Sequence, residues 1–196
     1  MQNFRIKLLF LVLVLAIFGE VVWAVFYLTD PLKFFQKRPT PSPQVPKEGA
    51  VLFLDPAFLT VKRGEEFEVG IVLDTKENFV SGADVILRFD PRFLKVVDSD
   101  PKKEGVQITP GKIFSQYLGN RVDLAKGRIT ISGICDTKKF FSGRGLVAKI
   151  KFLPLSLGKT KVFFEFQPAR TADSNVAGTS AKDILDRTAG GEYSIK

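Results

Sequence analysis

The stretch Val80-Ser-Gly-Ala-Asp-Val-Ile-Leu-Arg-Phe-Asp-Pro-Arg-Phe-Leu94 decides the fold. Its alternation puts Ala83, Val85, Leu87 and Phe89 on one face and Asp84, Ile86 and Arg88 on the other, the two-residue period of a half-buried β-strand. One face makes core; the other is available to a partner. Asp90-Pro91 ends the strand, because proline has no N–H to give to the ladder, and Phe93-Leu94 turn inward at the core edge.

On both sides of this stretch, from Ala50 onward, apolar alternation is broken at short intervals by Gly, Pro, Asp and Asn, which is how an all-β sandwich reads. Strands are predicted near residues 51–54, 58–62, 66–74, 80–90, 93–98, 105–109, 120–124, 127–135, 145–153, 158–166 and 191–196. The inward sets are Phe67, Val69, Ile71 and Leu73; Ile129 and Ile131; Leu146, Ala148, Ile150 and Phe152; and Val162, Phe164 and Phe166. Five apolar residues, Val72, Ile86, Ile134, Val147 and Phe163, fall on faces that the alternation assigns to the outside. They are either scattered singles that a loop covers or parts of a flat recognition surface, which Arg88, Lys149, Lys151 and Lys161 would border with positive charge.

A hydrophobic fraction of 45% with 19 Phe is enough to fill such a core. The single Cys135 excludes an internal disulfide, so burial alone must hold the domain. The absence of His removes the commonest general base near neutral pH and the commonest zinc ligand, and with them Ser/His/Asp hydrolysis and His-ligated zinc. The net charge of +8 is spread, +3 over residues 1–50 and +5 over residues 51–196, which is a solvated surface and not a nucleic-acid site.

Ile6–Leu28 is a nearly unbroken apolar run flanked by Arg5 and Lys7, long enough as a helix for the ~30 Å hydrocarbon layer. The run is an anchor or a signal peptide: Trp23, Phe26 and Tyr27 suit a membrane interface and no A-x-A site is present, which favours an uncleaved anchor with the amino terminus inside, while Val22-Trp23-Ala24 is a tolerable cleavage site. Glu20 is a tolerated polar residue within it. The proline-rich segment Arg38–Pro46 then reads as an extended exterior spacer. The expected organisation is tail and transmembrane anchor over 1–29, linker over 30–49 and sandwich over 50–196, a single-pass protein of the cell membrane with its carboxy-terminal domain extracellular.

Asp98–Glu104 and Thr171–Gly178 carry closely spaced oxygen ligands, but neither has EF-hand spacing, and these residue types are what turns need for their own hydrogen bonds. Gly64-Glu-Glu is a hairpin turn with a solvated face, not a pair of hydrolytic carboxylates. No phosphate loop, nucleophile elbow or C-x-x-C is present. No cofactor and no metal site are expected.

Several segments together resemble a cohesin domain, the dockerin-binding module of cellulosome scaffolds. They are Leu54-Asp-Pro56 with Val61-Lys-Arg-Gly-Glu-Glu-Phe-Glu-Val69, the opening Val80–Leu94 stretch, Gly127-Arg-Ile-Thr-Ile-Ser-Gly133, Phe141-Ser-Gly-Arg-Gly-Leu-Val-Ala-Lys-Ile-Lys-Phe152 and Gly190-Gly-Glu-Tyr-Ser-Ile195. The resemblance implies a jelly-roll sandwich of about nine strands, one sheet face of which meets the helices of a dockerin that carries its own calcium. It also implies a recognition role for Asp84, with Gly82 standing where an asparagine is often seen. The expected function is a non-catalytic cell-surface module that recruits a dockerin-like protein, in polysaccharide degradation or surface assembly, through Asp84, Ile86, Arg88, Val72 and Phe163. Two alternatives stand beside it: a polysaccharide-binding module, and an architectural surface or pilus-associated protein. Sugar binding would call for coplanar exposed aromatics, whereas the only Trp lies in the apolar run and Tyr117 and Tyr193 are far apart in sequence.

Overall fold

A computed structural model describes residues 2–28, 48–168 and 170–196. The chain divides into two compact units, Met1–Val45 and Pro46–Lys196. In the first, helix α1 spans Gln2–Leu28. Its side chains are described at Leu9 and over residues 11–25, and all of these are exposed. Among the described residues no helix is long and apolar enough to cross a membrane. The span expected over Ile6–Leu28 is therefore not found among the described residues. The spacer expected over Arg38–Pro46 lies outside the described residues.

The second unit is a sandwich of two sheets. Its strands are β1 (Ala50–Asp55), β2 (Phe58–Val61), β3 (Phe67–Asp74), β4 (Val80–Phe89), β5 (Leu94–Val96), β6 (Thr109–Pro110) and β7 (Gln116–Asp123). They continue with β8 (Arg128–Ile134), β9 (Arg144–Pro154), β10 (Gly158–Phe164), β11 (Asn175–Gly178), β12 (Leu185–Ala189) and β13 (Gly191–Ile195). The first sheet runs β12-β1-β3-β9-β5 with β6 also on β9; the second runs β2-β13-β10-β4-β8-β7 with β11 also on β4. The pairs β1–β12 and β2–β13 are parallel and the others antiparallel. The chain changes sheets between β1 and β2, at the cis Asp55–Pro56 peptide.

Alternation decides the core. Ala83, Val85, Leu87 and Phe89 of β4 meet Val69, Ile71 and Leu73 of β3, Ile129 and Ile131 of β8, and Ile150 and Phe152 of β9 in one buried cluster. Burying each such side chain contributes about 1.5–3 kcal/mol. A run of aromatic rings crosses it: Tyr193 of β13 lies 5.2 Å from Phe67 of β3, Phe67 lies 5.7 Å from Phe152 of β9, and Phe152 lies 5.7 Å from Phe89 of β4. Its first and last rings belong to the second sheet and its middle two to the first, so the run sews the layers together. Tyr193 is fully buried, and its hydroxyl donates to the Pro56 carbonyl at 3.0 Å, which satisfies the one polar atom the seam brings into the core.

The structure departs from the sequence expectations where the backbone does not keep period 2. The described residues form thirteen strands, not about nine; β11 lies in Thr171–Gly178, whose Asp, Asn, Ser and Gly read as turn formers, β12 forms where no strand was expected, and the strand expected at 105–109 shrinks to a Val106–Val122 bridge and the first residue of β6. Val147 was assigned outward and is buried, whereas Leu146 was assigned inward and is only half-buried. A bulge explains both: Ile71 pairs with Ala148 and Val72 with Leu146, so Val147 is an extra residue and the parity of β9 flips there. Leu146 thereby lies on the outer face across Gly70, where a Cβ would come within 2.9 Å of its Cδ1. The Val147 carbonyl accepts from the Gly111 N–H at 2.8 Å and from the Tyr117 hydroxyl at 2.7 Å.

Two measurements check this core. Phe152→Ala removes the middle of the aromatic run and is expected to lower unfolding free energy in urea by about 4 kcal/mol, whereas Tyr193→Phe, which loses one hydrogen bond, costs about 1 kcal/mol. Burial pushes the Tyr117 phenol from its ordinary 10.0 up to about 12. The neutral phenol is favoured by the fold, so its contribution is complete below pH 10.0 and is lost as pH rises through about 12. A melting temperature that falls across that window, less steeply in Tyr117→Phe, is the expected result.

Candidate functional site

The outer face of the second sheet follows from its register. On β4, Gly82, Asp84, Ile86 and Arg88 stand beside Ile134, Ser132, Thr130 and Arg128 of β8. Beyond β8, Gln116, Gly119, Arg121 and Asp123 of β7 continue the same rows. On the other side of β4, Phe163 of β10 pairs with Arg88, and Asn175 of β11 pairs with Asp84.

Of the residues expected to bind a partner, the structure brings Asp84, Arg88 and Phe163 together on this face, with Asp84 exposed and Phe163 53% exposed. Two do not belong to the surface. Ile86 is only 7% exposed, because β10 leaves the β4 edge there and β11 takes over further along, and the loop between them closes the gap. In that gap the Ser174 hydroxyl accepts from the Ile86 N–H at 2.9 Å and donates to the Ile86 carbonyl at 3.1 Å, while the Glu165 N–H donates to the same carbonyl at 2.8 Å. Val72 is 8% exposed and lies on β3 of the other sheet. Lys149 and Lys151, expected at the rim, also lie on that other sheet, where they pair with Glu68 at 3.1 Å and Glu66 at 3.4 Å.

Apolar surface gathers at one end of the face. Ile134 is 38% exposed beside Gly82, whose missing Cβ would come within 2.8 Å of the Gly133 carbonyl oxygen. Leu118, 68% exposed, has no register partner because β7 bulges between Tyr117 and Gly119. Sequence alternation could not find Leu118, since only the unpaired bulge residue is thrown outward.

Charge gathers at the other end. The Glu165 carboxylate accepts from Arg88 Nε in a short ion pair and lies 3.6 Å from Arg128 Nη2. Arg88 also donates to the Lys126 carbonyl at 3.3 Å. On the neighbouring strands Glu192 lies 4.0 Å from Lys159 and 3.6 Å from Lys161. Next to them the Arg92 guanidinium, and then its backbone N–H, hold the Asp90 carboxyl below the usual carboxylate range.

The turn readings of the acidic segments have partners to match. Asp98 Oδ1 accepts from the N–H groups of Asp100 and Gln107, and Asp173 Oδ2 accepts from that of Gln167 at 2.6 Å. Among the described residues no three His, Cys, Asp or Glu side chains converge as metal ligands.

Such a face, apolar at one end and mixed in charge at the other, has the make-up of a protein-interaction surface. The sequence matches the family model of the cohesin domain over residues 58–187, about two thirds of the chain, and the chain belongs to that family. Solved structures share the fold. A type II cohesin domain from the cellulosome of Acetivibrio cellulolyticus is similar at 20% identity and TM-score 0.59, covering 76% of this chain and 95% of its own. A cohesin–dockerin complex from Clostridium thermocellum matches at 14% identity and TM-score 0.58, covering 76% and 100%. A non-cellulosomal cohesin from the archaeon Archaeoglobus fulgidus matches at 16% identity and TM-score 0.53, covering 76% and 91%. No curated protein matches.

The charge cluster can be measured. A double-mutant cycle on Arg88→Gln and Glu165→Gln is expected to give a coupling of about 1 kcal/mol, since the pair is only partly shielded from water, and the coupling should shrink in high salt.

Proposed function

We propose that the sandwich recruits a dockerin-like protein through the outer face of its second sheet, in a surface-assembly or polysaccharide-degrading setting. One observation carries the reading: on a strand whose inner face is locked in the core, Asp84 projects into solvent beside Ser132 and Asn175 and next to exposed Ile134. A fixed acceptor beside an apolar patch suits the side of a helix that carries donors and apolar residues. The family match and the likeness to a cohesin seen in complex with a dockerin support this choice of partner.

Binding of a neutral polysaccharide finds less support. Tyr193 is fully buried, the Tyr117 hydroxyl is spent on the Val147 carbonyl, and Phe58, Phe79, Phe140 and Phe163 are exposed on separate elements. Membrane attachment and an extracellular position belong to the proposal on the strength of the sequence of Ile6–Leu28, an apolar run on all sides. Retention of the chain in the membrane pellet after alkaline carbonate extraction is the expected result, and release into the supernatant removes that part.

The recognition test uses the full chain and a purified dockerin. Saturable capture is expected, abolished by chelation of calcium, with no change in the melting temperature of the chain itself. Asp84→Lys combined with Ile134→Glu should weaken capture at least about tenfold while folding is retained. Capture unaffected by both changes would sink the proposed face.

A further inference from the structure

The Arg88 end of the same face opens into a groove of about 870 Å³ between the turn after β4 and the outer side of β10 and β13. Alternation along β10 sets Lys159, Lys161 and Phe163 on its outer side at steps of ~7 Å, and Arg88 stands directly across from Phe163. The two lysine side chains are 75% and 73% exposed.

The carboxylates of this groove are outnumbered. Asp90 is occupied by Arg92. Glu192 is divided between Lys159 and Lys161, and Glu165 between Arg88 and Arg128, so each holds two cations with one negative charge. One positive charge is thus left uncompensated on each side of the exposed Phe163 ring.

We propose that this groove binds an acidic peptide segment bearing an apolar side chain between its carboxylates, the apolar group seated on Phe163 and the carboxylates on the Lys159–Lys161 pair and on Arg88. In an extended peptide, side chains on one side also recur every ~7 Å, which matches Lys159, Lys161 and Phe163 along β10, while Arg88 is reached one strand across, on β4. An acidic glycan would need a ring platform, and in the groove lining only the Phe163 ring is exposed: Phe89 is buried, Phe93 is turned onto Gly158, within 3.1 Å of where a Cβ would stand, and exposed Phe58 lies outside the lining, on β2 across from Glu192. The inference goes beyond the dockerin-like reading, because it concerns the opposite end of the face and does not depend on a helical partner.

The test is fluorescence anisotropy of a labelled Asp-Glu-Phe-Glu-Asp peptide with the full chain at low salt, beside its Asn-Gln-Phe-Gln-Asn counterpart. Saturable binding of the acidic peptide is expected, at least about tenfold tighter than the neutral one and weakened by added salt. Lys159→Glu with Lys161→Glu should cost about tenfold, whereas Glu192→Gln, which releases both lysines, should tighten binding, a gain that misfolding cannot mimic. Equal binding of the two peptides, no saturable binding, or unchanged affinity in the double variant overturns the proposal. Tighter binding of polygalacturonate than of the peptide overturns it in favour of an acidic glycan. Loss of dockerin capture with peptide binding retained sinks only the dockerin-like reading, and the reverse sinks only this one.

Discussion

The structure depends on the contact between sheets made by Tyr193, Phe67, Phe152 and Phe89. Each ring pair adds about 0.5–1.5 kcal/mol beyond the area it buries, and the run ties the neighbouring strands β3 and β4 to β9 and β13, far away in the chain. With no internal disulfide available to a chain holding one cysteine, this seam does the work of a covalent staple. Burial pushes the Tyr193 phenol above its ordinary range, and its hydroxyl is satisfied only because the chain changes sheets at Pro56. The corner and the seam are therefore one device.

A core locked in this way turns the outer face into a rigid surface. Once Ala83, Val85, Leu87 and Phe89 are held inward, Asp84 and Arg88 have no choice but to point outward, at positions set by the pleat. The exceptions come from irregularities in the ladders. A bulge buries Val147 and lifts Leu146 out, a second bulge exposes Leu118, and the handover from β10 to β11 seals Ile86. Each changes the surface at one residue without disturbing the strands on either side.

The charges of the face follow a second rule, that a carboxylate shared by two cations leaves a net positive charge. Glu165 and Glu192 are each shared in this way, whereas Lys149 and Lys151 on the opposite sheet meet one glutamate each. Net charges of similar sign along the sequence thus become a nearly neutral ladder on one face and a positive groove on the other. The distinction matters for partners, because only the second field steers an acidic group toward a defined place.

The sequence by itself determined the sandwich and the inward faces of β3, β4 and β8, because both rest on period-2 alternation and on turn residues that act locally, and its quoted segments carried the family resemblance. It also supplied Asp84, Arg88 and Phe163, which alternation alone sets outward. Tertiary structure decided the rest. Strands β11 and β12 exist because β4 and β1 offer them edges, although the residues of β11 look like a turn and those of β12 carry no strand pattern. Val72 and Ile86 are buried by elements that lie far away in sequence, and the sharing of Glu165 by Arg88 and Arg128 depends on the end of β10 meeting β4 and β8. Period tells a side chain which face to take; only the packed neighbours tell it whether that face meets water.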